Sequence, residues 1–373
     1  MKIYQQFLLA VCLVSGFAHC EAFGQATSSQ IKWYDVQDWG VEGRILPDQA
    51  RQRWFDRLPA TAEKQVTKNV WNLSRDSAGM MLRFETDANR IDVHYRLKDS
   101  GIDMPHMPAT GVSGVDLYAK DQDGVWKWVQ VTRPTKQEVK TTIANGLAPG
   151  RREYAAYLPL YNGIDFLKIG VPANASFEGL APREQKPIVF YGTSITHGAC
   201  ASRPGMVHTA ILGRWLNRPV VNMGFSGNGK MHAEVANFLV QVDAAAYVID
   251  CLPNMNAADV KARCVPLVKQ IRSARPKTPI ILVEDRRNTN DWILPSRRTH
   301  HDNNHAALSA AYKELQQAGV ENLYYIPGDH LYGDDTEGAT DGSHASDLGF
   351  MRQAEIFLPV LKKAFAASET PAK

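Results

Sequence analysis

The pattern of apolar residues changes character once along this chain, at a proline-rich stretch, and that change limits the fold more than any other feature. Beyond residue 187 the apolar residues come in compact runs: Ile188-Val189-Phe190-Tyr191, Val220-Val221, Ala246-Tyr247-Val248-Ile249, Ile280-Ile281-Leu282-Val283 and Leu323-Tyr324-Tyr325-Ile326. A strand apolar at every position has to bury both faces, as strands do in a parallel sheet covered by helices. Helical spacing recurs between and after the runs, over 206–216, 230–240, 257–273, 306–317 and 347–365, the last carrying Pro359. Residues 188–367 are therefore expected to form an α/β/α sandwich around a five-stranded parallel sheet.

Before the change the punctuation is that of an antiparallel β domain. Met81 to Glu85 and Ile91 to Tyr95 alternate apolar and polar around an Asp87-Ala88-Asn89 turn. Val115 to Tyr118 and Val125 to Val131 flank Asp121-Gln122-Asp123-Gly124, and Tyr154 to Leu158 and Ile164 to Ile169 flank Asn162-Gly163. Short strands with turns at such intervals predict a β-sandwich over 32–170. Trp126 and Trp128 share one strand face, read here as a core face. Residues 171–187, with Pro172, Pro182 and Pro187, read as a linker, because proline removes donors and disfavours helix before it. Two domains suit a chain of 373 residues.

The first residues differ from both. Lys2, the apolar run Phe7 to Val14 and the small residues after it make 1–26 a secretory signal peptide, implying a secreted or periplasmic protein. A lipid anchor at Cys20 is the lesser alternative, because His19 stands where a small residue is expected. No other segment reaches the ~18 apolar residues of a spanning helix. With 42 basic against 39 acidic residues and no concentrated basic stripe, nucleic acid is not an expected partner. Cys12 and Cys20 aside, Cys200, Cys251 and Cys264 remain, and the sequence leaves open whether two of them pair.

Four short motifs follow in order: Gly192-Thr193-Ser194, Asn222-Met223-Gly224-Phe225-Ser226-Gly227, Asp250-Cys251-Leu252-Pro253-Asn254 and Asp341-Gly342-Ser343-His344. The first three follow predicted strands closely, where open α/β sheets bind ligands. Ser194 offers a hydroxyl nucleophile, though not in a Gly-x-Ser-x-Gly elbow, because Thr196 stands at the second glycine. Asp341 and His344, three apart, can orient one imidazole as a base towards that serine. The Gly227 amide, which no side chain obstructs, and the Asn254 side-chain amide can hold an oxyanion.

These residues resemble the SGNH (GDSL-like) hydrolases, over 188–365. The resemblance implies Ser194 as nucleophile, His344 and Asp341 as the rest of the triad, and the Ser194 amide, Gly227 and Asn254 as the oxyanion hole, with no cofactor and no metal. The first block reads Gly-Thr-Ser where Gly-Asp-Ser is usual, and in the third only the asparagine matches. Gly114-Val115-Asp116-Leu117-Tyr118 resembles the GxDLY motif of a β-rich domain that precedes some SGNH-type esterases. The joint resemblance implies a secreted esterase acting on acetyl or other short acyl esters of an acylated glycan. A lipid or lysophospholipid esterase is the alternative within enzymes, and a carbohydrate-binding protein with a vestigial hydrolase domain the alternative outside them.

Two further patterns compete for attention. Gly224 to Lys230 matches Gly-x4-Gly-Lys, but Met231 cannot ligate Mg2+ as Ser or Thr would. His300 to His305 looks like a metal cluster but lacks His-Glu-x-x-His, and reads instead as a polar helix start capped near Asp302 or Asn303. The long segment 285–300, with Trp292, is expected to shape the substrate site.

Overall fold

The computed structural model describes residues 30–369, so the signal-peptide reading of 1–26 lies outside the described residues. Nine strands make up the N-terminal module: β1 (Ile31–Asp35), β2 (Met81–Thr86), β3 (Arg90–Leu97), β4 (Asp116–Lys120), β5 (Trp126–Val131), β6 (Glu138–Asn145), β7 (Arg152–Tyr157), β8 (Ile164–Pro172) and β9 (Phe177–Leu180). They form two antiparallel sheets, ordered β1-β8-β3-β6 and β5-β4-β7-β2-β9. Val93, Tyr95 and Ile169 from the first meet Leu82, Phe84, Leu117 and Tyr154 from the second in one core, as alternation demands.

Two expectations are corrected here. The segment 171–187 is not simply a linker: Phe177–Leu180 pairs with β2 as the edge strand β9. Trp128 is not a core residue. The outer face of the second sheet carries Met81, Tyr118 and Tyr157 and packs on Ala210 of the next module, with Trp126 partly buried beside them. Trp128 stays 47% exposed, its ring under Arg203 and its indole N–H donated to Asp116. Alternation places two residues on one face without saying which face is inside.

The second module is a five-stranded parallel sheet, ordered β11-β10-β12-β13-β14, from β10 (Ile188–Gly192), β11 (Val220–Gly224), β12 (Ala246–Asp250), β13 (Ile280–Val283) and β14 (Leu323–Ile326). Successive residues of β10 enter opposite cores: Val189 and Tyr191 one, Ile188 and Phe190 the other. Two short helices, α1 (Lys68–Ser74) and α2 (Ala109–Val112), belong to the N-terminal half, and α3 (Ser194–His197) follows β10. α4 (His208–Trp215) and α8 (Asp347–Glu369) cover one face of the sheet. α5 (Ala233–Leu239), α6 (Ala257–Ala274) and α7 (Pro295–Gln317) cover the other. α7 begins a full three turns before the expected 306, with Pro295 in its first turn, where a missing N–H costs nothing.

The two modules share their cores. Ile45, Leu58, Val70 and Trp71 pack with Val221, Met223 and Phe225 on one side of the parallel sheet, while Met107, Val112 and Leu160 pack with Phe190 and Ile195 on the other. Arg57, fully buried, donates through Nη1 to the carbonyls of Asn222 and Gly224, both at 2.9 Å, through Nε to Asp76 O at 3.0 Å and through Nη2 to Leu73 O at 2.5 Å. Each buried carbonyl left without a donor costs about 1–3 kcal/mol. Arg57→Leu is therefore expected to lower the unfolding free energy by about 3 kcal/mol or more, read by urea denaturation; a loss under about 1 kcal/mol would mean that those carbonyls find other donors.

Candidate active site

Ser194 sits at the point where the strand order turns. β11 lies on one side of β10 and β12 to β14 on the other, which opens a crevice above the carboxyl end of β10. Thr193 caps α3, its hydroxyl accepting from Ile195 N at 3.3 Å, so Ser194 occupies the first helical position, where an amide has no intrahelical acceptor. Asp341 and His344 come from the turn before α8. His344 Nε2 lies 2.8 Å from Ser194 Oγ, and His344 Nδ1 lies 2.7 Å from Asp341 Oδ2.

The carboxylate decides which imidazole nitrogen carries the proton. Asp341 Oδ1 accepts from the amides of His344 at 2.7 Å and Ser343 at 3.0 Å. Burial works to raise the Asp341 carboxyl, but the His344 amide and imidazole and the Ser343 amide outweigh it and lower it to about 2. An ionised carboxylate only accepts, so Nδ1 of a neutral His344 is the donor and Nε2 is left to accept from the Ser194 hydroxyl.

The second and third blocks meet each other after β11 and β12. Gly227 adopts φ +67°, a backbone conformation that favours glycine, and a Cβ there would meet nothing within 4 Å. Gly229 is needed for approach: a Cβ would stand 1.8 Å from Gly192 O. In the amide orientation that satisfies its neighbours, the Asn254 oxygen accepts from Asn228 N and Gly229 N, each at 3.2 Å, which turns its NH2 away from them. Phe225 N, two residues before Gly227, donates to Gly192 O at 3.0 Å, which ties this loop to the strand end that carries Ser194.

A buried ion pair forms the floor. Asp250, ending the central strand β12, receives both Nη groups of Arg286, whose Nε donates to Gln353 Oε1 at 2.6 Å, and Thr196 of α3 donates to Asp250 at 3.2 Å. The segment after β13 then runs beside the His344 turn: Thr289 N donates to Gly342 O at 2.9 Å, and Trp292, Ile293 and Leu294 next to it are exposed. His301 and His305 are absorbed in holding that segment. His301 Nε2 bonds to Asn288, and His305 Nε2 to Asp285 O at 2.7 Å, and both lie inside α7, not at its start.

Three side chains around the site have contacts that the sequence alone did not give. Tyr161, beside the Asn162-Gly163 turn, donates its hydroxyl to Ser194 O at 3.3 Å and stacks on His197 with ring centres 4.2 Å apart. Asp116 of the GxDLY motif is fully buried and accepts from Gly205 N at 2.8 Å, Arg203 Nη1 at 3.0 Å and Trp128. It fixes the loop that follows α3. Cys200 lies in that loop as a free thiol, as do Cys251 and Cys264 elsewhere, and burial and the Asp341 carboxylate push it up to about 11. The GxDLY motif drew attention to Asp116 and the nearby Gly192-Thr193-Ser194 block to Cys200; nothing local marks Tyr161.

A serine, a histidine and an aspartate hydrogen-bonded in series at the switch point of an α/β/α sheet are the arrangement of a serine hydrolase. Residues 185–362 match the GDSL-like lipase/acylhydrolase family, and residues 31–177 match the GxDLY N-terminus of SGNH-hydrolase-type esterases. A GDSL-like lipase from Bacteroides ovatus is 30% identical with TM-score 0.85, the match covering 90% of this chain and 98% of that one. The chain belongs to the GDSL-like lipase/acylhydrolase family, as an SGNH-type carboxylic ester hydrolase with a GxDLY N-terminal domain. More distant folds include a salicylyl-acyltransferase of a tetracycline biosynthetic pathway (19% identity, TM-score 0.69, 92% and 99% covered) and a family two carbohydrate esterase from Cellvibrio japonicus (13%, 0.59, 91% and 99%). No curated relative matches the chain by sequence.

The Asp341 carboxylate is expected to titrate near 2 by NMR, well below the ordinary value near 3.9. Its folded value is depressed, so its contribution to stability is intact above pH ~3.9 and is lost only as pH falls through about 2. His344→Ala removes the imidazole donor and should move the titration back upward. An unmoved titration would show that the backbone amides alone set it.

Proposed function

We propose that the protein is a secreted serine esterase that removes short acyl groups, acetyl foremost, from a carbohydrate, by acyl transfer through Ser194. The observation that carries this reading is the unbroken hydrogen-bonded row Ser194–His344–Asp341. Ser194 Oγ attacks the ester carbonyl carbon and its proton passes to His344 Nε2, while Asp341 stabilises the imidazolium. The oxyanion rests on the amides of Ser194 and Gly227 and the NH2 of Asn254. As the C–O bond breaks, Nε2 returns its proton to the departing alcohol. Water repeats the sequence on the acyl-enzyme and frees the acid. The preference for carbohydrate esters draws on the carbohydrate esterases that share the fold, and secretion on the signal-like start of the sequence.

The exposed Trp292, Ile293 and Leu294 beside Gly342 favour a second reading, in which a longer acyl chain or lipid meets the site. Rates on 4-nitrophenyl acetate and on the decanoate separate the two, with acetate expected to be turned over faster. Ser194→Ala should reduce kcat by at least about 10^4, and Asp341→Asn by about 10^4 with KM little changed, because the imidazole then holds the wrong tautomer. Undiminished turnover by Ser194→Ala would sink the nucleophile assignment.

A further inference from the structure

A tight turn of the β-sandwich module stands beside His344. Met104 and Met107 exchange backbone hydrogen bonds, both 3.0 Å, closing a turn whose two tip residues are Pro105 and His106. The turn is anchored from beneath. Met107 is buried in the core it shares with Leu160 and Ala201. Asn162 Nδ2 donates to Asp99 O at 3.1 Å and to Gly101 O at 3.0 Å, and Asn162 Oδ1 accepts from Asp99 N at 3.0 Å. His106 itself is exposed, and its ring centre stands 6.2 Å from that of His344 with 30° between the planes.

The chemistry says what belongs there. Nδ1 of His344 is taken by Asp341, so the proton that frees the alcohol comes from Nε2, and the alcohol oxygen must stand about 3 Å from it. The body of the alcohol then lies beside the His344 ring, in reach of His106. A neutral imidazole has one donor and one acceptor, which suits a hydroxyl-bearing sugar better than an acyl chain. We propose that the Pro105–His106 turn is the alcohol-side subsite, with His106 hydrogen-bonding a hydroxyl of the carbohydrate whose ester is cleaved. This rests on the esterase reading above, and it gives the N-terminal module a direct part in choosing the substrate.

The test compares wild type, His106→Ala and His106→Gln on an acetylated xylo-oligosaccharide and on 4-nitrophenyl acetate, whose leaving group carries no sugar. For the oligosaccharide, kcat/KM should fall about tenfold in His106→Ala, mainly through KM, and recover in part in His106→Gln, which keeps both a donor and an acceptor. For 4-nitrophenyl acetate it should stay within about twofold, since uniform binding to a sugar is not in play. Equal losses on both substrates, or no loss on either, would overturn the subsite. Calorimetric binding of the oligosaccharide to Ser194→Ala, with and without His106→Ala, reads the same contact without turnover, and equal affinities there would also overturn it. A wild type that cleaves the nitrophenyl ester but neither binds nor cleaves the oligosaccharide leaves the esterase standing and removes the carbohydrate subsite. A wild type inactive on both removes the esterase reading itself.

Discussion

Arg57 places its guanidinium on four main-chain carbonyls, two of which, Asn222 and Gly224, end the strand that leads into the Phe225–Gly227 loop. Burial lowers its pKa to about 10 against the pull of Asp76, so it remains a cation at neutral pH. Carbonyl oxygens are good partners for such a group because they carry partial negative charge without needing desolvation of a second ion. The result is a strand end whose direction is fixed from outside its own module. Asp250 and Arg286 do the corresponding work inside the second module, joining the end of β12, α3 and α8 beneath Ser194. Removing one partner from such a pair is far more costly than never having built it, which locks the arrangement once present.

Above that floor Ser194 is buried, while His344 and Asp341 are more open. Asp341 is 43% exposed at its side chain and owes its low pKa to three N–H donors, two of them amides of its own turn. The turn is short enough to satisfy the carboxylate locally and is steadied by the segment after β13 through Gly342. Placing the proposed base, His344, on a braced loop and the proposed nucleophile, Ser194, after a strand end is a common division in α/β enzymes, where rigid elements position and loops vary.

How much of this the sequence carried follows from the range of each interaction. The parallel sheet was legible because its strands are apolar almost throughout, Asn222 and Asp250 excepted, and the α7 start was not, because its first turns are polar and exposed. Ser194, Gly227, Asn254, Asp341 and His344 stood out through order and spacing. Arg57, Tyr161 and His106 did not, because each matters through a partner more than thirty residues away and looks ordinary among its neighbours. β9 was hidden by the prolines around it, as an edge strand tolerates what an inner one does not. Trp128 failed for a simpler reason: a period of two has no sign.

The distance in sequence between Ser194 and His344 also has a consequence for how the protein comes into being. A chain is made from its N-terminus, and domains fold in that order as they emerge. The sandwich, the parallel sheet's first strands and the nucleophile can all be in place while the base is still unmade. Until then Ser194 lacks the His344 imidazole that the proposed mechanism requires. The hydroxyl gains its hydrogen-bond partner only when the turn before the last helix has emerged, so on the proposed mechanism esterase chemistry waits for the final stretch of the chain.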